Sequence, residues 1–446
     1  MIRHTILSIL AIAPILALSS TADAGPSLSR ALAIACESNE ADCDAPQKSL
    51  SAAISRRVLV DDVVEYSIDI RVGPGTYDVI GLHRVVRESA PNVPAPTSKA
   101  VMMVHGDAWN FEAAFLAAGP SLDGASLPVH LASHGIDVWG VDLGWTRVPA
   151  SEANLAFMQN WGFQRDVRDI GTALGVARVV RALSGQGHSR LHLLGWSRGG
   201  QLAYAYAGAE TQRPPGLRHV GGLIPVDIYL ETDDPDFRAG ACQRRADERA
   251  LVASGQYANN LGGSLGPLGL LAQVDPTGPS PAFPGLDNEH AAMTLGAATF
   301  LLMPQPPVPS YHLTGGLWDA AGVQDLAYAD PAVWFDVLGR AKPWQPWAMI
   351  ADADAATCDD PLDDVPFDDH LGDITVPTFY VGAGGGFGAA GIYTTSLLGS
   401  QDVSNHVVQH YPEEYRLLDI GHTDIFQGYD AEALFWEPIR SWISAH

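Results

Sequence analysis

The sequence predicts an α/β fold: a mostly parallel, doubly wound sheet with a helical insertion. Three observations carry this. From residue 99 to residue 226, short apolar runs of strand length alternate with longer stretches of helical periodicity. One run, Arg190-Leu191-His192-Leu193-Leu194, meets the helix-forming stretch Gly200–Ala207 across the tight sequence Gly195-Trp196-Ser197-Arg198-Gly199. The rhythm then breaks between Asp227 and Asp373 and resumes at Ile374.

The chain opens on a targeting pattern. Ile6 to Leu18 is an apolar core behind Arg3, interrupted by Pro14, and Ala22-Asp23-Ala24 is a small-x-small cleavage site. Residues 1–24 therefore read as a secretory signal, with the mature chain from Gly25 in the periplasm or the medium. The apolar run is too short for a comfortable span and no second long run follows, so no stable membrane anchor is expected. Residues 25–56 are small and polar, with a short helix expected near Leu28–Ala35. Arg57–Val72 reads as a strand, Gly73-Pro74-Gly75 as a turn, and Tyr77–Val86 as an antiparallel partner. Pro91, Pro94 and Pro96 mark a loop.

Val101–Val104 is the first strand of the alternating part, and Gly124–His134 a helix after it. Ile136–Val141 is a strand ending at Asp142, Asp166–Leu183 a helix, Leu191–Leu194 a strand and Gly221–Val226 another. In such sheets reactive groups collect at the carboxyl ends of the strands. Residues 229–373 hold Gly/Leu loops, clustered prolines (Pro304, Pro306, Pro307, Pro309) and helices near Gln243–Gly255, Asn288–Leu302 and Pro331–Gly339. Trp318, Trp334, Trp344 and Trp347 in this stretch need burial against something, which suits either a cap over a site or a satellite domain. Ile374–Val381 and Glu414–Ile420 read as the last strands, and Asp430–Ala445 as the closing helix. The core thus comprises residues 57–228 and 374–446, with 229–373 inserted.

Composition narrows the function classes. Twenty-six Lys and Arg face 51 Asp and Glu, a net charge of −25, which argues against nucleic acid and anionic membranes as partners. The four cysteines, Cys36, Cys43, Cys242 and Cys358, suggest disulfides in an oxidising compartment, with three possible connectivities. The favoured pairing is Cys36–Cys43, closing a small loop, with Cys242–Cys358 tying the ends of the insertion. No Cys/His spacing reads as a metal site. The acidic run Asp359-Asp360-Pro361-Leu362-Asp363-Asp364, with Asp368, Asp369 and His370, lacks calcium-loop spacing and reads as a solvated loop.

Ser197 is the candidate nucleophile. A serine on a strained strand-to-helix turn needs glycine neighbours so that the two elements can approach. Its hydroxyl then stands near a helix N-terminus, where free N–H groups face developing negative charge. Gly262-Gly263-Ser264-Leu265-Gly266 fits the same five-residue pattern. It has no strand before it and Pro267 after it, so no helix is expected to start cleanly there. Two landmarks flank Ser197: Lys99–Val104 ending in His105-Gly106-Asp107-Ala108, and Glu414–Ile420 leading to Gly421-His422-Thr423-Asp424.

A strand ending in His-Gly, a Gly-x-Ser-x-Gly turn and a late Gly-His, in this order, resemble the α/β-hydrolase superfamily over residues 57–228 and 374–446. The resemblance implies that His422 is the base and that residues 229–373 form a cap. It implies oxyanion donors at the backbone N–H of Arg198 and of Asp107, the Asp107 side chain pointing away. The acid departs from the common pattern. Gly382-Ala383-Gly384-Gly385-Gly386-Phe387-Gly388 offers no carboxylate after its strand, and Asp227, at the end of the strand before the insertion, takes the role. Asp402 and the group Glu231, Asp233 and Asp234 are the alternatives, and Asp424 reads as a cap of the last helix or its loop. The expected function is a secreted serine hydrolase acting on a small-molecule ester with an apolar part, with no cofactor and no metal. A peptidase or amidase with the same machinery is the alternative, and a non-catalytic binding protein the third reading.

Overall fold

The structure, a computed structural model, describes residues 54–117, 124–303, 305–362 and 364–446. The signal segment, the Leu28–Ala35 helix, Cys36 and Cys43 lie outside the described residues. Nine strands build the main sheet: β1 (Ser55–Val60), β2 (Val63–Arg71), β3 (Val79–Ala90), β4 (Lys99–Val104), β5 (Ile136–Asp142), β6 (Leu191–Trp196), β7 (Val220–Val226), β8 (Thr378–Ala383) and β9 (Val403–Val408), and the two residues Val93–Pro94 pair on β3. Their spatial order is β1-β2-β3-β5-β4-β6-β7-β8-β9. β1, β2, β3 and β5 pair antiparallel in succession. From β5 through β9 every pairing is parallel.

Side-chain alternation explains why this sheet is covered on both faces. In β4, Val101 and Met103 belong to one buried cluster, and Ala100, Met102 and Val104 to the other. In β6, Leu194 and Trp196 face the first, and Leu191 and Leu193 the second. Apolar residues at every position of a strand require helices on both sides. Helix α1 (Leu127–Ser133) and the C-terminal helix α9 (Glu437–Ala445) cover the first face; α2 (Phe163–Leu183) and α3 (Arg198–Thr211) cover the second. The chain leaves β4 toward β5 on one side and leaves β5 toward β6 on the other. This reversal opens a crevice at the carboxyl ends of β4 and β6, and the His105-Gly106 and Ser197 turns both stand there.

Between β7 and β8 the described residues form five α-helices: α4 (Pro235–Ala253), α5 (Leu261–Val274), α6 (Asn288–Ala297), α7 (Pro331–Gly339) and α8 (Trp347–Cys358). Cys242 of α4 and Cys358 of α8 form a disulfide, and Arg244 pairs with Asp354 across the same two helices at 2.7 Å. Leu265, Leu268, Trp334 and Val337 join the cluster on one face of the sheet, and Met349, Ile350 and Ala353 join the other. The excursion therefore shares the core of the sheet. No described helix is long and apolar enough to cross a membrane.

Four expectations need correction. Arg57–Val72 is two strands: Asp61 takes a left-handed φ of 48°, and the chain folds back as the β1–β2 hairpin. Glu414–Ile420 is no strand. Glu413–Leu418 is a 3-10 turn, and the edge strand is β9, whose Val-rich sequence suits a pleated surface better than a stretch with three charges in four residues. Helices α5 and α8 stand where none was expected. Finally, α5 runs through Ser264 and Pro267, although the proline has no N–H to give the Gly263 carbonyl.

Candidate active site

Ser197 sits between β6 and α3 at φ 56° and ψ −130°, a conformation forced by its neighbours. Its N–H donates to the Val226 carbonyl at 3.0 Å, which ties the turn to β7. A Cβ on Gly195 would lie 2.1 Å from the Gly199 carbonyl oxygen, and one on Gly199 would lie 2.2 Å from that of Val104. Both glycines are therefore required by close backbone approach. The loop after β4 touches the serine: a Cβ on Gly106 would lie 2.7 Å from the Ser197 Cβ. Arg198 opens α3, so its N–H has no carbonyl within the helix to meet.

His422 lies against this turn. Its ring stacks on Trp196, the residue before Ser197, with centroids 4.9 Å apart. Nδ1 meets Asp227 Oδ2 at 2.7 Å, and Nε2 is buried with no hydrogen-bond partner among the described residues. Asp227 is fully buried and takes a left-handed φ of 49° at the end of β7. Its Oδ1 accepts the N–H groups of Ala383, Phe387 and Gly388 at 2.9, 3.1 and 2.9 Å. The glycine run that lacks a carboxylate thus supplies the donors for one. A Cβ on Gly386 would lie 1.8 Å from Asp227 Oδ2, so that position has no room for a side chain.

The His422 loop is held on both sides. His422 and Thr423 donate their N–H groups to the carbonyls of His312 and Leu313 at 3.1 and 2.8 Å. Asp424 caps its own loop rather than the last helix. Its Oδ2 accepts from Gly421 at 2.7 Å and Gly315 at 2.8 Å, joining the loop to the excursion. Burial pushes its carboxyl up to about 7 against the pull of these two donors.

The Asp107 carboxylate pairs with the Arg198 guanidinium, Oδ2 to Nη2 at 3.1 Å. The side chains of the two residues expected to donate backbone N–H groups are therefore bonded to each other. Arg198 also donates to Gln201 Oε1 at 2.7 Å, and Gln201 in turn to the Tyr229 carbonyl at 3.0 Å. Behind the loop, His105 is buried. Leu143 N–H donates to its Nε2 at 3.2 Å, so Nδ1 carries the proton, 2.9 Å from the Gly106 carbonyl. Asp142 accepts from Phe111 N–H at 2.8 Å and faces His83 at 3.2 Å. Burial would raise the Asp142 carboxyl, but His83 outweighs it and holds it near 2.

Three aromatic residues around His422 were not singled out from sequence. The rings of Tyr311 and Phe387 lie 5.4 and 5.8 Å from it, and Tyr229 packs edge-on to Phe387 at 5.1 Å. Ser310 at φ 55° turns the proline-rich strap before Tyr311, a signal that proline spacing alone did not disclose. A depression of about 660 Å³ between α4 and this strap, lined by Phe237, Arg244 and Pro309 among others, includes neither Ser197 nor His422. The alternatives stand elsewhere. Asp402 is exposed and pairs with His446 at 3.2 Å; Asp234 caps α4; Ser264 is exposed on α5. Among the described residues no three His, Cys, Asp or Glu side chains are grouped to hold a metal ion.

No family model and no curated protein matches the chain. Solved structures do. A candidate lipase from Sulfolobus solfataricus aligns at 18% identity over 86% of this chain and 95% of its own, with a TM-score of 0.57. A monoglyceride lipase from Saccharomyces cerevisiae aligns at 10% identity over 91% and 99%, with a TM-score of 0.47. A proline iminopeptidase from Mycobacterium smegmatis aligns at 14% identity over 82% and 95%, with a TM-score of 0.37. At such identities only the first likeness bears weight, and what it bears on is architecture. With the strand order and the turn after β6, it establishes that the chain has the α/β-hydrolase fold.

Proposed function

We propose that the protein is a serine hydrolase that cleaves carboxylic esters, with Ser197 as nucleophile, His422 as base and Asp227 as the acid that orients it. The observation that carries this reading is the contact between Asp227 Oδ2 and His422 Nδ1 at 2.7 Å, on a ring stacked against the residue before Ser197. A serine hydroxyl is a weak nucleophile until a base accepts its proton, and the base needs a partner that fixes its tautomer. The carboxylate accepting from Nδ1–H leaves Nε2 free to accept the Ser197 proton. Ser197 Oγ attacks the acyl carbon, and the N–H groups of Arg198 and Asp107 stabilise the oxyanion. His422 returns the proton to the leaving alcohol. Water, deprotonated by His422, then releases the acid and restores Ser197.

Residues 229–373 act as a cap in this proposal, supported by the strap at Tyr311–Leu313 lying on the His422 loop. Tyr229, Tyr311 and Phe387 favour a substrate with an apolar part. Export through the 1–24 signal is supported by the Cys242–Cys358 disulfide, a bond that persists in oxidising compartments. Turnover of p-nitrophenyl esters of increasing acyl length, beside aminoacyl amides, tests the reading. Ester cleavage at rates far above amide cleavage is expected; cleavage of amides alone would replace the esterase by a peptidase.

A further inference from the structure

The loop that carries the Asp107 N–H is not held by the sheet core alone. Ala108 takes a left-handed φ of 65°, a conformation that a residue with a Cβ keeps only where its surroundings over-determine it. The excursion supplies two of those constraints. Lys342 N–H donates to the Ala108 carbonyl at 2.7 Å, and the Trp109 indole Nε1–H donates to the Val337 carbonyl at 2.8 Å. Trp109 is buried, with its ring between Trp196 at 5.9 Å and Trp334 of α7 at 6.3 Å. On the other side, the Asp107 carboxylate is fixed by Arg198. The peptide between Gly106 and Asp107 is thus stretched between a salt bridge to the nucleophile turn and a clamp made by residues 337–342.

The clamp rests on a firm base. The Trp334 indole donates to the Ala292 carbonyl at 2.8 Å, and Gln273 Nε2 donates to the Phe335 carbonyl at 2.9 Å, so α7 is anchored to α6 and α5. We propose that Val337 and Lys342 of the excursion set the conformation of the oxyanion loop, with Trp109 as the positioning residue that links them. The excursion is then a working part of the oxyanion hole as well as a cover. This rests on the serine-hydrolase reading above, since it needs an oxyanion to stabilise.

Trp109→Phe tests it, with Thr357→Val beside it, which removes a buried hydroxyl that donates to the Leu230 carbonyl at 2.7 Å. Each removes one buried hydrogen bond, so both should lower the melting temperature. Only the first touches the loop. Removing an oxyanion donor outright costs about 100- to 1000-fold in kcat, so displacing one should cost roughly tenfold or more. Trp109→Phe is expected to lose that in kcat at little changed KM. It should bind a trifluoromethyl ketone, which forms an oxyanion, more weakly by the same factor. Binding of a product-like alcohol should be unchanged. Thr357→Val should keep both values. Should Trp109→Phe fail to fold, Lys342→Pro removes the other clamp donor and is read the same way. A folded Trp109→Phe within twofold of wild type, or equal losses in Trp109→Phe and Thr357→Val, would overturn the proposal. Wild-type protein that neither turns over esters nor binds the ketone would instead overturn the hydrolase reading beneath it.

Discussion

Asp227→Asn changes one atom in a site where both carboxylate oxygens are committed. Asp227 Oδ1 accepts three N–H groups from the 383–388 run, and Oδ2 meets His422 Nδ1. The new carboxamide must keep its oxygen toward the three donors, because the reverse orientation sets an NH2 group against them. Its NH2 then faces Nδ1. The imidazole can meet a donor only by moving its proton to Nε2, the nitrogen that should accept the Ser197 proton. Movement offers no escape, since Gly386 already leaves no space for a Cβ. An aspartate-to-asparagine change that traps the wrong tautomer in a serine protease costs about 10⁴-fold in kcat, equivalent to about 5.5 kcal/mol. A loss of this order is expected here. Three charge-assisted hydrogen bonds become neutral ones, which should lower stability by roughly 1 kcal/mol each without unfolding the protein. The assay is kcat on a p-nitrophenyl ester, with near-ultraviolet circular dichroism as the check on folding. A folded Asp227→Asn that keeps more than about a tenth of wild-type kcat would refute the assignment, since a triad member cannot be lost so cheaply.

Stability should fall from neutral to alkaline pH. Burial pushes the carboxyls of Asp169 and Asp424 up to about 7, Glu231 to about 8 and Glu248 to about 9. A carboxyl whose folded pKa is raised stabilises the fold while protonated, fully below its unfolded value near 4, and loses that contribution as pH rises through 7 to 9. Scanning calorimetry between pH 7 and pH 9, above the range in which the buried His192 and His219 titrate, should show a declining melting temperature; a flat or rising profile contradicts this. Non-reducing peptide mapping should recover Cys242 joined to Cys358. Because the bond spans 116 residues of sequence, its reduction should cost about 5 kcal/mol at most on the chain-entropy model. An unchanged melting temperature after verified reduction would contradict that.

Much of the fold is legible because its signals are local. β4, β5, β6 and β7 are short apolar runs, and α7 begins at Pro331 behind a capping Asp330. The candidate residues Ser197, His422 and Asp227 stand out in the sequence because turn chemistry and chain order mark strand ends. What escaped depends on tertiary contact. Helix α5 is rich in glycine and carries a proline, so propensity argues against it; close packing against α7 is what those glycines permit. β9 lies at the sheet edge, and Ser404, Asn405 and His406 interrupt its valines, so its strand pattern is short. The Asp107–Arg198 pair joins residues 91 apart, and the Trp109–Val337 bond joins residues 228 apart. No periodicity encodes either.

The central claim is that Ser197 is the group that becomes acylated. Peptide mass spectrometry after treatment with a fluorophosphonate tests it most directly. One adduct on the peptide containing Ser197 is expected, absent in Ser197→Ala and retained in Ser264→Ala. An adduct on any other residue, or a folded and soluble protein that takes no label, would contradict it.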